Sequence, residues 1–557
     1  MEIRKMFEWL GYSWKTGVVV FLLAAATAIA ASAQTFTTLV DFNGTNGAGP
    51  LFDSLVQGRD GNLYGTTSGG GVAGYGTVFK MAPDSTLTTL YSFCSLPYCA
   101  DGSWPKGGLV LAMNGNLYGT AYDFGNCDDC EYWTGTVFKI TPEGKLTTLY
   151  SFGFGDGAYP TAALVQGTDG NFYGTTSQGG DDAYDWAHGE VFGMTPNGEL
   201  WQLHVFQDYA YPIAGLVQAT NGDFYGTTSG SGDHDAGSIF KITAAGTLTR
   251  LYSFTTQAKG AGASPLAALV QASDGNLYGT TAGGGAYDDG TVFRMAPKVG
   301  LTKLHDFNGT DGSSSHGPLL QATDRNFYGT TSTGGANNLG TIFKMSMDGT
   351  LTTLYSFQGS DGSAPVGGLV EDTSGKFYGT TSAGGMYGDG TIFSLDMGLG
   401  PFVRLVRDLG KVGQTGGILG QGFSGATAVT LNGVPAEFTV VSDTYLTATI
   451  PAGGTTGFVT VTTPSGTLTS NKPFRVEPQL LSFDPPSGPP GTQVTITGVS
   501  LTQTQGVGFG NRVPAQFTVN SDNQVTATVP EGAQTGKIGI QTQGGKAISS
   551  GTFTVTP

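Results

Sequence analysis

The sequence predicts an all-β protein, a seven-bladed β-propeller followed by two immunoglobulin-like β-sandwich domains. Three observations predict this fold class. The phrase GNLYGTT, at residues 275–281, recurs in seven variants whose tyrosines lie 50 to 55 residues apart. Each repeat contains four short runs rich in β-branched and aromatic residues, which is typical of a propeller blade. Beyond Leu399 a second self-similarity appears, with an offset of 78 or 79 residues. The seven tyrosines are Tyr64, Tyr118, Tyr173, Tyr225, Tyr278, Tyr328 and Tyr378.

Composition agrees with many short strands and tight turns. The chain has 92 glycines, 39% hydrophobic residues and only 12% charged residues, which excludes a disordered protein. No sustained 3.6-residue apolar pattern supports a helical repeat. The net charge of −17 argues against nucleic acid or anionic lipid as a partner.

The first 33 residues predict an export signal. Arg4, Lys5 and Lys15 precede an apolar run at 17–31, and the Ala-Ser-Ala of residues 31–33 has the pattern of a signal-peptidase site. The run is too short to span a bilayer, so we expect cleavage before Gln34 rather than an uncleaved anchor. No other stretch predicts a transmembrane helix. We therefore expect an exported protein, extracellular or in the cell envelope of a bacterium.

The repeat region, residues 34–397, reads as four strands per unit. In the fifth unit the predicted runs are 266–271, 276–281, 291–296 and 301–307, separated by turns and a Gly-rich loop. Counting the fourth runs shows that the first of them, at 35–42, precedes the first blade. The last blade lacks a fourth run, so we expect residues 35–42 to complete the seventh blade and close the ring.

Topology sorts the loops into two faces. The turns between first and second strands and between third and fourth strands share one side, which we call the constant face because these turns hardly vary. The loops between second and third strands and between blades lie on the other side, the variable face. Nearly all differences in length between repeats fall on the variable face.

The four cysteines, Cys94, Cys99, Cys127 and Cys130, all lie in variable-face loops. Their even number in an exported chain favours two disulfides over a redox or zinc site. The sequence leaves two pairings open, one within each loop and one that bridges the two loops.

The region after the propeller divides into two related copies, residues 398–477 and 478–557. Val434-Pro435-Ala436 of the first matches Val513-Pro514-Ala515 of the second. Short strands with Gly, Pro and Asp turns predict a β-sandwich in each. The second copy, with PPSGPPGTQVTITG and VPAQFTVNSDNQVTATVP, resembles the IPT/TIG family of immunoglobulin-like domains. The first resembles it more loosely, because Asp408-Leu409-Gly410 replaces the Pro-Ser-Gly of the pattern.

The repeats themselves, with the phrases DGN-[LF]-YGTT and GT-[VI]-F-K-M, resemble the bacterial GloVer tandem-repeat family over residues 35–397. This resemblance implies an exported, repeat-built bacterial protein. It implies no catalytic residues, since the family has no assigned activity.

The predicted binding residues belong to the variable face, where aromatic rings and carboxylates gather. This combination suits sugar rings or a protein partner. The candidates are Trp104, Trp133, Trp186, Tyr184, Tyr287, Asp185, Asp288 and Asp289. Further tyrosines of the same face are Tyr98, Tyr122, Tyr159, Tyr209, Tyr211 and Tyr387.

No motif predicts catalysis, a metal or a cofactor. The five histidines show no HxH or HExxH spacing, and we expect the acidic loops near them to be solvated. We expect the repeated Tyr-Gly-Thr-Thr to have a structural role, because a protein normally has a single catalytic site rather than seven copies of one. The leading hypothesis is therefore an exported, non-enzymatic binding or adhesion protein for a glycan or a cell-surface protein. The alternatives are a polysaccharide-acting enzyme, hydrolase or lyase, with accessory sandwich domains, and a purely structural envelope protein.

Overall fold

The protein is all-β, with the seven blades and two sandwiches that the sequence predicts. A computed structural model describes residues 34–52, 55–125, 134–180, 188–207, 209–256, 260–296, 299–510 and 513–557. The predicted signal at 1–33 lies outside these ranges. Helical structure in the described residues is limited to short 3-10 segments at Pro97–Cys99, Phe154–Asp156 and Phe423–Gly425. Within the same residues no helix has the length and apolar character needed to cross a membrane.

Seven antiparallel four-stranded sheets form the blades, each ordered from the first strand outward. Their strands are, blade by blade, Val56–Gln57, Leu63–Thr67, Thr77–Met81 and Leu87–Ser92; Val110–Leu111, Leu117–Ala121, Thr136–Ile140 and Leu146–Ser151; Val165–Gln166, Phe172–Thr176, Glu190–Met194 and Leu200–Val205; Val217–Gln218, Phe224–Thr228, Ser238–Ile242 and Leu248–Ser253; Val270–Gln271, Leu277–Thr281, Thr291–Ala296 and Gly300–Asp306; Leu320–Gln321, Phe327–Thr331, Thr341–Met345 and Leu351–Ser356; and Val370–Glu371, Phe377–Thr381, Thr391–Asp396 and Thr35–Asp41.

The N-terminal strand closes the ring. Thr35–Asp41 pairs antiparallel with Thr391–Asp396 and is the outermost strand of the seventh blade. The ring of Phe36 stacks on Tyr355 of the sixth blade, with centroids 3.8 Å apart. The two ends of the propeller are therefore joined by backbone pairing and by aromatic packing.

The first strands are shorter than the sequence indicates. Of the run predicted at 266–271, only Val270–Gln271 pairs as a strand. The preceding residues are engaged differently, because the carbonyl of Ala267 accepts a 3.4 Å hydrogen bond from the hydroxyl of Thr227 in the preceding blade. The apolar run therefore predicts a longer strand than the structure has, because part of the run contacts the preceding blade instead of pairing within its own sheet.

The repeated Tyr-Gly-Thr-Thr phrase is a packing device. The Tyr278 hydroxyl donates to Asp274 at 2.9 Å, and its ring lies 4.3 Å from that of Phe327 in the next blade. A Cβ on Gly279 would lie 2.7 Å from Phe293, so glycine is needed there for close packing. Tyr278 therefore joins the preceding turn of its own blade to the neighbouring blade.

A second inter-blade device lies at the ends of the first strands. In six blades a glutamine or glutamate side-chain oxygen accepts a hydrogen bond from a backbone N–H in the turn of the preceding blade. The acceptor and donor pairs are Gln57 and Thr373, Gln166 and Met113, Gln218 and Thr168, Gln271 and Thr220, Gln321 and Ser273, and Glu371 and Thr323. The second blade has Leu111 instead, and there the Arg59 guanidinium donates to the Met113 carbonyl.

Two β-sandwiches follow with equivalent strand orders, so the looser first copy folds as the second does. The first contains Arg404–Leu405, Thr415–Leu419, Tyr445–Thr449 and Phe438–Ser442 in one sheet, Val434–Pro435, Ala428–Leu431, Val459–Thr463 and Gly466–Thr469 in the other, and the parallel pair Leu409–Gly410 and Arg475–Val476. The second contains Gln479–Asp484, Gln493–Val499, Gln524–Thr528 and Phe517–Ser521, facing Ser487–Gly488, Gly545–Val555, Gly536–Thr542, Thr504–Phe509 and Val513–Pro514.

The first sandwich packs on the constant face of the propeller. The Thr444 hydroxyl donates to the Arg59 carbonyl at 2.7 Å, and the Arg59 guanidinium lies 4.6 Å from the Tyr445 ring centroid. On the fourth blade, Arg475 donates to the Thr220 carbonyl at 3.0 Å. The constant face is thus occupied, and the variable face lies on the opposite side.

Candidate functional site

Seven equivalent positions on the variable face, one before each first strand, adopt a left-handed backbone. They are Gly49, Trp104, Tyr159, Tyr211, Ser264, Ser314 and Ala364, with φ between 46° and 59°. The carbonyl of each accepts a hydrogen bond from the residue that follows the second strand of its own blade, as Trp104 does from Tyr122 at 3.3 Å. The fold therefore imposes this conformation, whichever side chain occupies the position.

Three of the seven positions carry large aromatic side chains, and these three lie in the consecutive blades 2, 3 and 4. They are Trp104, Tyr159 and Tyr211, whereas the other blades have glycine, serine or alanine. A left-handed backbone is least costly for glycine and unfavourable for bulky residues. The backbone conformation alone does not explain why aromatic residues occupy these positions. Their presence must therefore be explained by what their side chains contact.

Further aromatic residues surround these three. The rings of Tyr75, Trp104 and Phe124 form a cluster with centroids 5.8 to 6.2 Å apart. Tyr122 lies 5.0 Å from Tyr159, and Tyr209 lies 6.4 Å from Tyr211. We call the set Tyr75, Trp104, Tyr122, Phe124, Tyr159, Tyr209 and Tyr211 the aromatic arc.

The arc is only partly covered. Most of its rings are half-buried, and Tyr209 is 62% exposed. Rings that present apolar area and a polar edge at a surface are suited to binding ligands that are themselves amphipathic. The arc is therefore a candidate surface for an amphipathic ligand.

One lysine lies within the arc. The Lys106 Nζ is 3.1 Å from the centroid of the Tyr122 ring, in a cation–π contact. Burial lowers the pKa of Lys106, and the nearby Asp123 carboxylate opposes that shift. At the equivalent position the other blades have Leu51, Thr161, Ile213, Leu266, His316 and Val366, so this ammonium is particular to the second blade.

Two further side chains meet between non-adjacent blades. Phe52 precedes the first strand of blade 1 and His316 that of blade 6, yet their ring centroids are 6.1 Å apart. Burial lowers the pKa of His316. The sequence placed His316 in a solvated loop, but its ring is half-buried and lies beside Phe52 of another blade.

The predicted site residues do not all come together. Trp104 belongs to the arc, whereas Tyr287, Asp288 and Asp289 lie on the fifth blade. Asp288 Oδ1 accepts from the Gly284 N–H at 2.9 Å, and Asp289 Oδ1 accepts from the Ser313 hydroxyl at 2.7 Å. Asp288 therefore holds its own loop, and Asp289 joins that loop to the one before the sixth blade. Trp133, Trp186, Tyr184 and Asp185 lie outside the described residues.

Other loop aspartates are likewise structural. Asp101 accepts from the Tyr91 hydroxyl at 2.8 Å and from the Ser95 N–H at 2.9 Å. Asp156 pairs with Tyr150 in the same way, and Asp361 pairs with Tyr355. Each carboxylate thereby ties a blade-to-blade loop to a fourth strand.

The cysteines of the first loop pair locally, since Cys94 and Cys99 form a disulfide. A bridge from this loop to the next, the alternative that the sequence left open, is wrong for these two residues. Five residues of separation in one turn place the thiols together without help from a second loop. Cys127 and Cys130 lie outside the described residues. In the part of the chain that the structure describes, no group of three His, Cys, Asp or Glu side chains is arranged to hold a metal ion.

Comparison with solved structures finds distant similarities. One is a fungal alcohol oxidase of the AA5 family in complex with copper, at 13% identity over 77% of this chain and 98% of the other, with a TM-score of 0.43. A putative 6-phosphogluconolactonase from Bacteroides fragilis shows 18% identity over 57% and 87%, with a TM-score of 0.39. SGBP-B from a xyloglucan utilization locus of Bacteroides uniformis shows 22% identity over 27% and 48%, with a TM-score of 0.15. At such low scores no property carries over. Among curated proteins, none matches.

Family comparison gives a definite result. An IPT/TIG domain matches residues 478–556, which confirms the resemblance of the second sandwich. The Gloeobacter/Verrucomicrobia repeat matches residues 24–184, 130–270 and 255–435, which together make up most of the chain and contain all seven blades. The chain therefore belongs to the Gloeobacter/Verrucomicrobia repeat family.

Proposed function

We propose that the chain is an exported, non-enzymatic binding protein whose aromatic arc holds a carbohydrate. The observation that carries this proposal is the placement of Trp104, Tyr159 and Tyr211 at left-handed positions that other blades fill with Gly, Ser or Ala. An aromatic ring at such a position costs backbone energy, and residues of this kind concentrate at ligand sites.

Carbohydrate fits this surface for a chemical reason. A pyranose ring has an apolar face of C–H groups and a rim of hydroxyls, and a half-buried tyrosine or tryptophan offers apolar area beside a hydrogen-bonding group. Three such residues on consecutive blades favour an extended chain of sugars over a single small molecule.

Export is part of the same proposal. The pattern of residues 1–33 supports it, and so does the Cys94–Cys99 disulfide, because disulfides persist mainly in oxidising compartments. The first sandwich occupies the constant face, so the variable face points away from the C-terminal domains. This arrangement suits a protein held through its sandwiches while the propeller meets its ligand.

A glycan array with the full chain tests the proposal. The matched variant replaces Trp104, Tyr159 and Tyr211 by serine, the residue that blades 5 and 6 have at this position. Tyr287→Ser, which removes an exposed ring of the same face outside the arc, is the control. We expect the wild type and the control to bind the same glycans and the triple variant to lose them.

Two results would overturn the proposal, namely no glycan bound by the wild type or unchanged binding by a folded triple variant. Release of shorter products from a bound glycan would instead establish the polysaccharide-acting alternative. Melting curves of the three proteins show whether the triple variant is folded.

A further inference from the structure

We propose that the ligand of the aromatic arc is an anionic glycan, in which the carboxylate of a hexuronic acid or a sulfate ester pairs with Lys106. This inference rests on the proposed carbohydrate function and specifies the ligand class.

Lys106 stands in a ring of seven equivalent residues that are otherwise mostly apolar. Leucine, isoleucine or valine occupies four of the other positions. A lysine that served only to cover apolar surface would extend its ammonium into water. Here the ammonium instead lies over Tyr122, half-buried among the rings of the arc.

Within the described part of the chain, the charge of Lys106 is incompletely balanced. Among the described residues no carboxylate lies within ion-pair distance of its Nζ, and the contact with Tyr122 is the interaction that holds it in place. The Asp123 carboxylate raises the pKa of Lys106 but forms no ion pair with it, and its Oδ1 accepts from the Phe124 N–H at 2.8 Å. A half-buried cation without an ion-pair partner favours a ligand that brings the negative charge.

The neighbours of Lys106 supply the rest of a sugar site. Tyr122 and Tyr159 form a tilted pair 5.0 Å apart, and Trp104 is joined to Tyr122 through its backbone. A sugar that lies against these rings would have its anionic substituent near the Lys106 Nζ. The net charge of −17 opposes an anionic polymer at long range, so recognition depends on this short-range contact.

Short oligosaccharides are therefore the right probes. The full chain is titrated calorimetrically with trigalacturonic acid, with the neutral galactose trisaccharide, and with a sulfated form of the latter. The variants are Lys106→Thr, which copies the third blade, and Lys106→Arg, which keeps the charge. Preference for trigalacturonic acid or for the sulfated sugar distinguishes the two anionic groups.

We expect an acidic trisaccharide to bind the wild type more tightly than the neutral one. Lys106→Thr should weaken acidic binding by about tenfold to a hundredfold, because a hydrogen bond to a charged group contributes that much. Neutral binding should fall much less than acidic binding, because a neutral sugar forms no ion pair with Lys106, and Lys106→Arg should keep most of the acidic preference.

Equal binding of acidic and neutral sugars by the wild type, or an unchanged acidic affinity in Lys106→Thr, would overturn the inference. If the serine triple variant still loses neutral glycans in that case, the carbohydrate function stands and only the anionic class fails. Absence of binding to every trisaccharide and to the array contradicts both.

Discussion

Gln57 of the first blade and Thr373 of the seventh, 316 residues apart, form a reciprocal pair of hydrogen bonds. The Thr373 N–H donates to Gln57 Oε1, and Gln57 Nε2 donates to the Thr373 hydroxyl, each at 3.1 Å. Both side chains are buried. The same glutamine contact joins neighbouring blades elsewhere, and here it joins the seventh blade to the first. The ring is therefore closed by contacts at its innermost strands as well as by the outer N-terminal strand.

Replacing Gln57 by leucine, the residue that the second blade has at the equivalent position, should weaken closure. The substitution leaves the buried Thr373 N–H without its acceptor, which costs about 1–3 kcal/mol. Denaturant unfolding of the full chain measures the loss. Gln218→Leu is the matched control, because its partner Thr168 is half-buried and water can replace the lost acceptor. Equal losses in the two variants would show that the Gln57 pair has no special role in closure.

The outer half of the closure depends on Phe36, which contacts Tyr355, Phe357 and Phe393. Phe36→Ala should lower the free energy of unfolding by about 2–3 kcal/mol, since it leaves a cavity beside these rings. Phe36→Leu should cost much less, because leucine occupies this position in the fourth strand of the other six blades. Thermal unfolding compares the two, and a similar loss in both would mean that ring stacking, rather than filled volume, stabilises the closure.

The blades could be predicted from sequence because every copy repeats the same contacts. Tyr278 and its equivalents appear at regular spacing, and the count of fourth runs left one position for residues 35–42. The aromatic positions Tyr122, Tyr159, Tyr209 and Tyr211 could also be assigned to the variable face by topology alone.

What sequence reasoning missed is the conformation and the partner of single side chains. The left-handed backbone positions could have been suspected from the X-Pro pairs Trp104-Pro105, Tyr159-Pro160 and Tyr211-Pro212. A proline restrains the backbone of the preceding residue, however, without specifying a positive φ. Lys106 belongs to no recognisable sequence motif. Tyr75 and Phe124 contact Trp104 only because loops of two neighbouring blades meet. Such contacts depend on the closed ring and are not encoded in local pattern.

Arg59 joins three parts of the molecule, since its guanidinium donates to Met113 of the second blade and covers the Tyr445 ring of the first sandwich. Arg59→Ala should loosen both contacts, at a cost of about 1–2 kcal/mol. Limited proteolysis of the connection at 397–402 should then be faster. Arg250→Ala, which removes an exposed ion pair with Asp233, should leave the cleavage rate unchanged. Equal rates in wild type and Arg59→Ala would contradict the link.

The third strand of the third blade begins with Glu190, whereas the third strands of the other six blades begin with Thr or Ser. The side chain of Glu190 is fully buried; Gln202 donates to its Oε2 at 2.8 Å, and its Oε1 has no partner among the described residues. Burial, with a smaller contribution from the Asp156 carboxylate, raises the pKa of Glu190 from 4.5 to about 8. The folded protein therefore favours the protonated, neutral acid.

The raised pKa of Glu190 predicts that stability falls as the pH rises from about 4.5 to about 8. The contribution of the protonated acid is fully present below its ordinary pKa of 4.5 and is lost as the pH rises through the folded pKa of about 8. Because each pKa unit corresponds to about 1.4 kcal/mol, the loss amounts to a few kcal/mol. Glu190→Gln has the same shape without the titrating proton, so it should be less sensitive to pH and more stable than the wild type at pH values above the folded pKa. Thermal unfolding of both proteins across this range measures the difference, and parallel pH profiles would show that Glu190 does not titrate with folding.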